Sequence, residues 1–208
     1  RTRQPRCEDH DVTVMRDELV GVVLAAGAGT RLRPLTLERP KAMCPVGNVP
    51  LVDHAIARVE PLVSALAVNV HGSQPMLRDH VAGRVHVSVE QDERLGTAGA
   101  LGRLRPWIAG RHVLVHNADS FVDDDLAALL DGWDGVRPRL LVRTEDHDSD
   151  FGHHRFLGVS LVPAAIAATL PDERCGLFDL AWQPAYAVGE LELVEATGTS
   201  IDCGTPAD

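Results

Sequence analysis

The chain has 208 residues, of which 45% are hydrophobic and 24% charged, a composition typical of one globular domain with a sizeable core. It contains no apolar run of about 18 residues, so the sequence predicts no transmembrane helix. Its formal net charge of −10 argues against a nucleic-acid-binding surface, which requires a basic face. Of the 20 basic residues, only Lys41 is a lysine.

The amino terminus and the cysteines bear on domain limits and compartment. Residues 1–18 carry charges but no apolar central region, so we interpret them as an N-terminal arm, a candidate flexible segment, rather than a secretory signal. Residues 19–208 are expected to form a single domain, because no repeat or linker interrupts them. The four cysteines are scattered without a C-x-x-C pair, which favours a reduced, cytoplasmic protein.

Short apolar runs alternate along the chain with segments of helical spacing. The runs expected to form strands cover residues 19–26, 65–70, 85–89, 113–115, 140–142, 156–162 and 191–195. Helical faces are formed by Val52, Ile56 and Val59, and by Leu126, Leu129 and Leu130, with short helices expected at 163–170 and 176–182. This alternation predicts an α/β fold with a largely parallel sheet, whose ligands bind beyond the carboxyl ends of the strands.

The segment after the first predicted strand, L-A-A-G-A-G-T-R-L-R-P-L-T over residues 24–36, has the composition of an anion-binding loop. Its small residues allow the backbone to bend and approach a ligand, and Arg31 and Lys41 add phosphate-binding charge. The loop lacks the G-K-[ST] of a P-loop, and Leu32 stands where a dinucleotide-binding fingerprint has its third glycine. The candidate nucleotide-binding residues in this loop are Ala25, Ala26, Gly27, Gly29 and Thr30.

Further segments carry a specific resemblance. The loop is followed by Pro40-Lys41, then by L-G-T-A-G-A-L at 95–101, N-A-D at 117–119, F-L-G-V at 156–159 and I-D-C-G-T-P at 201–206. In this order they resemble the sugar-1-phosphate nucleotidyltransferases (NDP-sugar pyrophosphorylases) and are similar to mannose-1-phosphate guanylyltransferases. The resemblance implies a Rossmann-like, GT-A-like α/β domain with a mostly parallel central sheet flanked by helices. We expect a short form without the C-terminal β-helix domain of longer relatives.

The resemblance also implies a reaction in which a sugar-1-phosphate oxygen attacks the α-phosphorus of an NTP and releases pyrophosphate. Such a transfer depends on positioning and on positive charge around the phosphates, for which Arg31 and Lys41 are the candidates. Asp119 and Asp202 match the family's metal-binding aspartates and imply a Mg²⁺ cofactor. These four residues are the predicted catalytic set. The run Asp123–Asp125 is interpreted instead as N-terminal charges of a helix.

The residue that reads the base is expected just before Gly96 and Thr97, which are further nucleotide-binding candidates. The family presents a side chain to the base from this strand, and here Glu90 or Gln91 occupies the place. A carboxylate accepts hydrogen bonds from N1–H and N2–H₂ of guanine, whereas an amide suits uracil or thymine. If Glu90 reads the base, the sequence predicts GTP as the nucleotide. If Gln91 reads it, a pyrimidine nucleotide is the alternative.

The acceptor region departs from the family pattern, because the usual Glu-Lys-Pro motif is missing and no lysine follows Lys41. We expect Arg155 to replace the missing lysine, the alternative being a surface arginine. Gly152 and Gly158 would allow close approach of the sugar phosphate, and Asn117 would provide a further contact.

The first predicted function is transfer from GTP to mannose 1-phosphate. The alternatives are a uridylyltransferase for an amino-sugar 1-phosphate, a cytidylyltransferase for a phospho-alcohol, or, in another class, a non-catalytic protein that senses NDP-sugars or regulates a partner. Retention of Asp119 and Asp202 argues against the last. The expected partners are the NTP and the sugar 1-phosphate, with no nucleic acid and no membrane. The sequence leaves the oligomeric state open.

Overall fold

The computed structural model describes residues 16–205, in which helices cover both faces of a seven-stranded sheet. Residues 1–15 of the expected arm lie outside the described residues. The strands are β1 (Leu19–Leu24), β2 (Pro45–Val46), β3 (Val49–Pro50), β4 (Leu66–His71), β5 (His86–Glu90), β6 (His112–Asn117), β7 (Ser120–Val122), β8 (Arg139–Ser149), β9 (Gly152–Val162), β10 (Glu192–Glu195) and β11 (Ser200–Asp202). The α-helices are α1 (Leu51–Val59), α2 (Pro75–Val81), α3 (Gly96–Ile108), α4 (Ala164–Ala167) and α5 (Gln183–Ala187).

The large sheet has the strand order β10-β8-β9-β6-β1-β4-β5. β1 pairs in parallel with β4 and with β6, and β4 pairs in parallel with β5, so four neighbouring strands end at one edge. β10 is parallel to β8, whereas β9 runs antiparallel to both of its neighbours. The predicted α/β class with a mostly parallel sheet is confirmed. The shared carboxyl edge of β1, β4, β5 and β6 is where ligands bind in such folds.

The apolar strand runs arise because both faces of the sheet are covered. On one face lies α1, which buries the three residues of its predicted apolar stripe, Val52, Ile56 and Val59. On the other face lie α3 and a π-helical turn, Phe178–Trp182, which buries Ala181 and Trp182. β1 is consequently inaccessible along nearly its whole length.

The principal helix missed from the sequence is α3, because glycines and Pro106 disfavour a helix. The structure shows why glycines occupy it. A Cβ at residue 99 would lie 2.1 Å from the carbonyl oxygen of Glu173, and one at residue 102 would lie 2.0 Å from that of Pro171. The segment 171–175 therefore packs directly on the helix backbone, and this tertiary contact outweighs the weak helix propensity.

Other elements differ from the predictions in length or type. The strands expected at 140–142 and 156–162 are the ends of a longer hairpin, β8 and β9. The segment Leu126–Leu129 forms a 3₁₀ helix rather than an α-helix, and α2 was not predicted. Within the described part of the chain, no helix combines the length and the apolarity needed to cross a membrane.

Candidate active site

The loop after β1 packs the Lys41 side chain against the backbone of Gly29. Gly29 adopts a left-handed conformation with φ of 62°, before a 3₁₀ turn at Thr30–Leu32. A Cβ at residue 29 would come within 2.9 Å of the Cβ of Lys41 and 2.8 Å of Thr36. Glycine is thus required both for the backbone angle and for the close approach. The hydroxyl of Thr36 donates to the Gly29 carbonyl at 2.7 Å, and this bond holds the turn at Gly29 against the chain at Thr36.

Side chains from β4 and from the segments that follow β4 and β5 anchor the start of this loop. The amide of Ala25 donates to Oδ1 of Asn69 at 2.7 Å. Arg94 donates through Nε to the carbonyl of Ala26 at 2.7 Å, and Gln74 donates through Nε2 to that of Gly27 at 3.1 Å. The Ala25 amide is therefore already used within the protein, so it is not a free phosphate donor as the sequence suggested.

A cavity of about 250 Å³ opens at the shared carboxyl edge of the sheet. It brings together most of the predicted nucleotide-binding residues with two of the predicted catalytic and acceptor residues. Its lining consists of Leu24, Ala26, Gly27, Asn69, Glu90, Arg94, Gly96, Thr97, Asn117 and Asp119. Gly29 and Thr30 are not part of this lining; they form the outer turn of the loop. We call this space the nucleotide cavity.

Glu90 lies at the base of the nucleotide cavity but is only 1% exposed. Its Oε1 accepts from Nδ2 of Asn69 at 2.7 Å, and its Oε2 accepts from the amide of Leu95 at 3.0 Å. This arrangement disfavours the expected contact of Glu90 with guanine, because the carboxylate is almost completely buried and each of its oxygens already accepts from a protein donor. The next residue, Gln91, is exposed at the end of β5.

The only lysine of the sequence forms an ion pair at the edge of the cavity. Nζ of Lys41 lies 2.5 Å from Oδ2 of Asp119, and the two side chains are 9% and 37% exposed. Lys41 begins a 3₁₀ turn, Lys41–Met43, after Pro40. A nearly buried ammonium next to a half-buried carboxylate gives a local concentration of charge in an otherwise acidic protein.

Pairing of two short strands brings the predicted metal-binding aspartates together. β11 pairs antiparallel with β7, which places Asp202 opposite Ser120, and the amide of Cys203 donates to the carbonyl of Asp119 at 2.9 Å. Arg31 reaches the same place. A Cβ at residue 204 would lie 2.9 Å from Oδ1 of Asp202 and 3.1 Å from a terminal nitrogen of Arg31.

The thiol beside these aspartates is not an activated nucleophile. Burial raises the pKa of the Cys203 thiol, and the carboxylates of Asp119 and Asp202 act in the same direction. Cys203 therefore stays protonated at neutral pH.

The donor set at this position fits a hard divalent cation. Mg²⁺ is usually bound by one or two carboxylates, with substrate phosphates and water completing its shell. Asp119 and Asp202 supply two such carboxylates, each side chain more than a third exposed and so accessible to a ligand. Residues 16–205 contain no group of three or more His, Cys, Asp or Glu side chains arranged for a metal. The two exposed carboxylates suit a metal whose remaining ligands are phosphate oxygens and water.

A second cavity, of about 300 Å³, is lined by Asp202, Arg143 and Arg155 among others. We call it the acceptor cavity. Arg143 and Arg155 are directly opposed on β8 and β9. Arg143 donates to the carbonyl of Gly198 at 2.6 Å, and a terminal nitrogen of Arg155 lies 3.6 Å from Oδ2 of Asp202. The predicted Arg155 therefore faces Asp202, one of the two predicted metal-binding aspartates, rather than bulk solvent alone.

Two glycines predicted for the acceptor region have different positions. Gly158, with φ of 86°, packs so closely that a Cβ would lie 2.1 Å from the hydroxyl of Ser120 and 3.3 Å from the Cβ of Asn117. Gly158 and Asn117 are thus brought together as expected. Gly152 instead lies in the β8–β9 turn beside the hydroxyl of Tyr186, and it lines neither cavity. Its predicted role is corrected to that of a hairpin-turn residue.

Of the three aspartates Asp123–Asp125, interpreted from the sequence as N-terminal charges of a helix, only Asp125 caps a helix. Asp125 accepts from the amide of Ala127 and caps the 3₁₀ helix. Asp124 is buried, and its Oδ1 accepts from the amides of Thr197 and Gly198 at 2.6 and 2.8 Å. It therefore anchors the segment that precedes β11, which positions Asp202.

Three residues of the site were missed from the sequence. Asn69 carries a signal that could have been used, since it is a polar residue inside the buried apolar strand β4. Arg94 and Arg143 carry none, because nothing in the sequence separates them from the surface arginines.

The fold and the site together define a nucleotide-binding α/β transferase. A glycine loop, a helix amino terminus and Asp119 border one cavity, Asp202 borders a second, and Lys41 and Arg31 supply positive charge beside these aspartates.

Comparison with known proteins identifies the family. The family model described as Nucleotidyl transferase matches residues 20–146. The N-acetylmuramate alpha-1-phosphate uridylyltransferase of Caulobacter vibrioides is 32% identical over 224 residues, which cover 90% of this chain and 92% of that protein. The mannose-1-phosphate guanylyltransferase of Mycobacterium tuberculosis is 32% identical over 116 residues, covering 53% of this chain and 32% of that protein.

Among solved structures, the inositol-1-phosphate CTP transferase from T. maritima superposes with a TM-score of 0.73 at 17% identity, covering 92% of this chain and 91% of the other. This likeness supports the fold. The chain belongs to the Nucleotidyl transferase family. The prediction of a sugar-1-phosphate nucleotidyltransferase is confirmed at the level of the enzyme class.

Proposed function

We propose that this chain transfers a uridylyl group from UTP to an amino-sugar 1-phosphate and releases pyrophosphate. The observation that carries the proposal is that Asp119 lines the nucleotide cavity and Asp202 lines the acceptor cavity, while the pairing of β11 with β7 brings the backbone at these two residues together. The relative that aligns over nearly the whole chain is a uridylyltransferase for N-acetylmuramate alpha-1-phosphate, which is an amino-sugar phosphate.

In the proposed reaction, an ionised phosphate oxygen of the acceptor attacks the α-phosphorus of the NTP. The bond from the α-phosphorus to the bridging oxygen breaks, and pyrophosphate leaves. Lys41 holds a positive charge near the triphosphate from a nearly buried position, and the exposed Arg31 neutralises the departing pyrophosphate. Asp119 and Asp202 would hold Mg²⁺, which supplies Lewis-acid charge when bound. No residue must remove a proton, because the attacking oxygen is already ionised.

The choice of uracil rests first on the relative that aligns over nearly the whole chain, a uridylyltransferase. Glu90 is 1% exposed and accepts two internal hydrogen bonds, which disfavours its contact with guanine. Gln91, which follows β5, is exposed beside the nucleotide cavity but is not among its lining residues, and Oε1 of its amide lies 3.1 Å from the position of a Cβ at residue 72. An amide that both donates and accepts complements the N3–H and the adjacent carbonyl of uracil.

The acceptor phosphate is assigned to the arginine pair. Two guanidinium groups directly opposite each other on neighbouring strands repel, and an anion between them would relieve this repulsion. The acceptor cavity also contains Glu145 and Asp150, whose carboxylates can accept hydrogen bonds from sugar hydroxyls or an amide. Arg155 and Arg143 therefore take the role of the missing lysine, with the sugar placed farther from Asp202.

A guanylyltransferase acting on mannose 1-phosphate is the second candidate, since the mycobacterial relative has that activity. One experiment decides between the two and also tests the non-catalytic alternative. Pyrophosphate release is measured with UTP, GTP, CTP and dTTP, each against N-acetylmuramate 1-phosphate, N-acetylglucosamine 1-phosphate and mannose 1-phosphate with Mg²⁺. We expect turnover to be highest with UTP and an amino sugar. A clear preference for GTP would refute the uracil assignment. Nucleotide binding without release in any pairing would favour a sensor.

A further inference from the structure

Two almost fully buried polar residues of neighbouring strands border the nucleotide cavity. Asn69 in β4 is 3% exposed, and Glu90 in β5 is 1% exposed. Burial of such groups is costly unless they are hydrogen-bonded, so their partners indicate what they do. Neither residue contacts the proposed catalytic centre at Lys41 and Asp119 through a hydrogen bond.

The two side chains connect the two walls of the nucleotide cavity through three hydrogen bonds in series. The Ala25 amide donates to Asn69 Oδ1 at 2.7 Å, Asn69 Nδ2 donates to Glu90 Oε1 at 2.7 Å, and the Leu95 amide donates to Glu90 Oε2 at 3.0 Å. Ala25 belongs to the glycine loop, and Leu95 is the residue that precedes α3. The series therefore joins the loop directly to the segment that presents Gly96 and Thr97.

The direction of every bond in the series is dictated by its ends. Both ends are backbone N–H groups, which can only donate. Asn69 must present its oxygen to Ala25, and so it presents its NH₂ to residue 90. Residue 90 then meets a donor on each side and has to accept both, which a carboxylate does and an amide does not. This requirement explains a glutamate, rather than a glutamine, at a position with almost no solvent exposure.

We propose that Asn69 and Glu90 are positioning residues, which hold the glycine loop and the start of α3 at the separation that the NTP requires. This inference rests on the assignment of the nucleotide cavity to the NTP. The residues act through Ala25 and Leu95. A break in the series weakens nucleotide binding while the acceptor cavity, formed by β8, β9 and β11, stays intact.

The polarity of the series allows a test by exchange. In Glu90→Gln, the new NH₂ group faces a hydrogen-bond donor, which is either Nδ2 of Asn69 or the amide of Leu95. In Asn69→Asp, the new carboxylate faces the carboxylate of Glu90. In the double variant Asn69→Asp/Glu90→Gln, all three bonds can form again with the central one reversed in direction. The overall formal charge of the double variant equals that of the wild type.

The dissociation constant of UTP (or of GTP, if the nucleotide panel favours it) is measured by titration calorimetry with Mg²⁺ and without acceptor, at pH 8 to disfavour a proton shared between two carboxylates. The acceptor KM, kcat and the melting temperature are measured in parallel. We expect each single variant to raise the nucleotide dissociation constant about tenfold, equivalent to about 1.4 kcal/mol. The double variant should return to within about threefold of the wild type, and the acceptor KM should not change.

Glu192→Gln is the matched control, since this carboxylate is also largely buried and pairs with Arg139, but on the edge strand β10. It should lower the melting temperature and leave the nucleotide dissociation constant unchanged. Asn69→Ala is a second way to break the series, because it removes both hydrogen bonds of Asn69 without placing two carboxylates or two donors next to each other. It should also weaken nucleotide binding.

Three results would overturn the inference. They are wild-type nucleotide affinity in the single variants, melting temperatures that fall while nucleotide affinity stays constant, and a double variant no better than the singles. Absence of nucleotide binding by the wild type would instead refute the proposed function, so the two failures are distinguishable.

Discussion

Replacement of the only lysine by arginine should impair the enzyme although the charge is kept. The Lys41 ammonium lies 2.5 Å from Asp119 in a side chain that is 9% exposed, and the Gly29 backbone packs against its Cβ. A guanidinium adds atoms and a planar fork to this tight space, and overpacking costs about 1–3 kcal/mol. If this cost acts on the geometry of the transition state, kcat/KM falls by about 5- to 160-fold.

Lys41→Met, which keeps most of the stem and removes the charge, should have a larger effect. Loss of one charged group that stabilises the transition state typically lowers kcat by about 10²- to 10³-fold. The assay is pyrophosphate release under saturating and limiting UTP, with melting temperatures to separate activity from stability. Arg78→Lys is the control for the exchange itself, because Arg78 is half exposed and forms a surface ion pair with its neighbour Asp79. Wild-type kinetics for Lys41→Arg would refute the claim that a guanidinium overpacks this space. A kcat/KM of Lys41→Met equal to that of the wild type would refute the role of the Lys41 charge.

Three further outcomes are expected. Asp119→Asn should keep the fold, lower kcat by about 10²-fold or more, and raise the Mg²⁺ concentration for half-maximal rate; near-normal kinetics would place the metal elsewhere. Arg155→Ala should raise the acceptor KM about tenfold, through a lost charge-assisted hydrogen bond, without changing the KM for UTP; an unchanged acceptor KM would identify a surface arginine. His116 is fully buried in β6, and burial lowers its pKa to about 4 from an ordinary 6.5. The unfolded chain therefore binds this proton first as pH falls, and about 3 kcal/mol of stability is lost between pH 6.5 and 4. His116→Leu should flatten this part of the pH dependence in urea denaturation, and an unchanged slope would contradict the assignment.

Much of the fold was predictable because it follows from local pattern. The apolar runs of β1 and β4 are buried on both faces, and the stripe Val52, Ile56, Val59 turns towards the core in α1. The exception, α3, shows the limit of this reasoning. Its glycines look like breakers in isolation, and only the segment 171–175 packed on the helix shows why they are there.

The candidate site was predictable where a residue type carries its own chemistry. Lys41, Arg31, Asp119 and Asp202 could be selected by charge and motif, and the structure brings all four to one place. Glu90 could not be assigned correctly in this way. A carboxylate at the end of a strand looks like a ligand-binding group until its hydrogen-bond partners are known.

The sequence by itself determined the α/β class, the family and a set of charged candidate site residues, because periodicity and motif are local properties of the chain. The tertiary structure alone decided which of these groups are free to meet a ligand. Asp119 and Asp202 are 83 positions apart in the sequence and meet only through the pairing of β7 with β11. Glu90 is withdrawn from the ligand by Asn69 and the Leu95 amide, which approach it from another strand and from the following loop. Whether a polar group binds substrate or supports the fold depends on its partners in space, and those partners are set by folding.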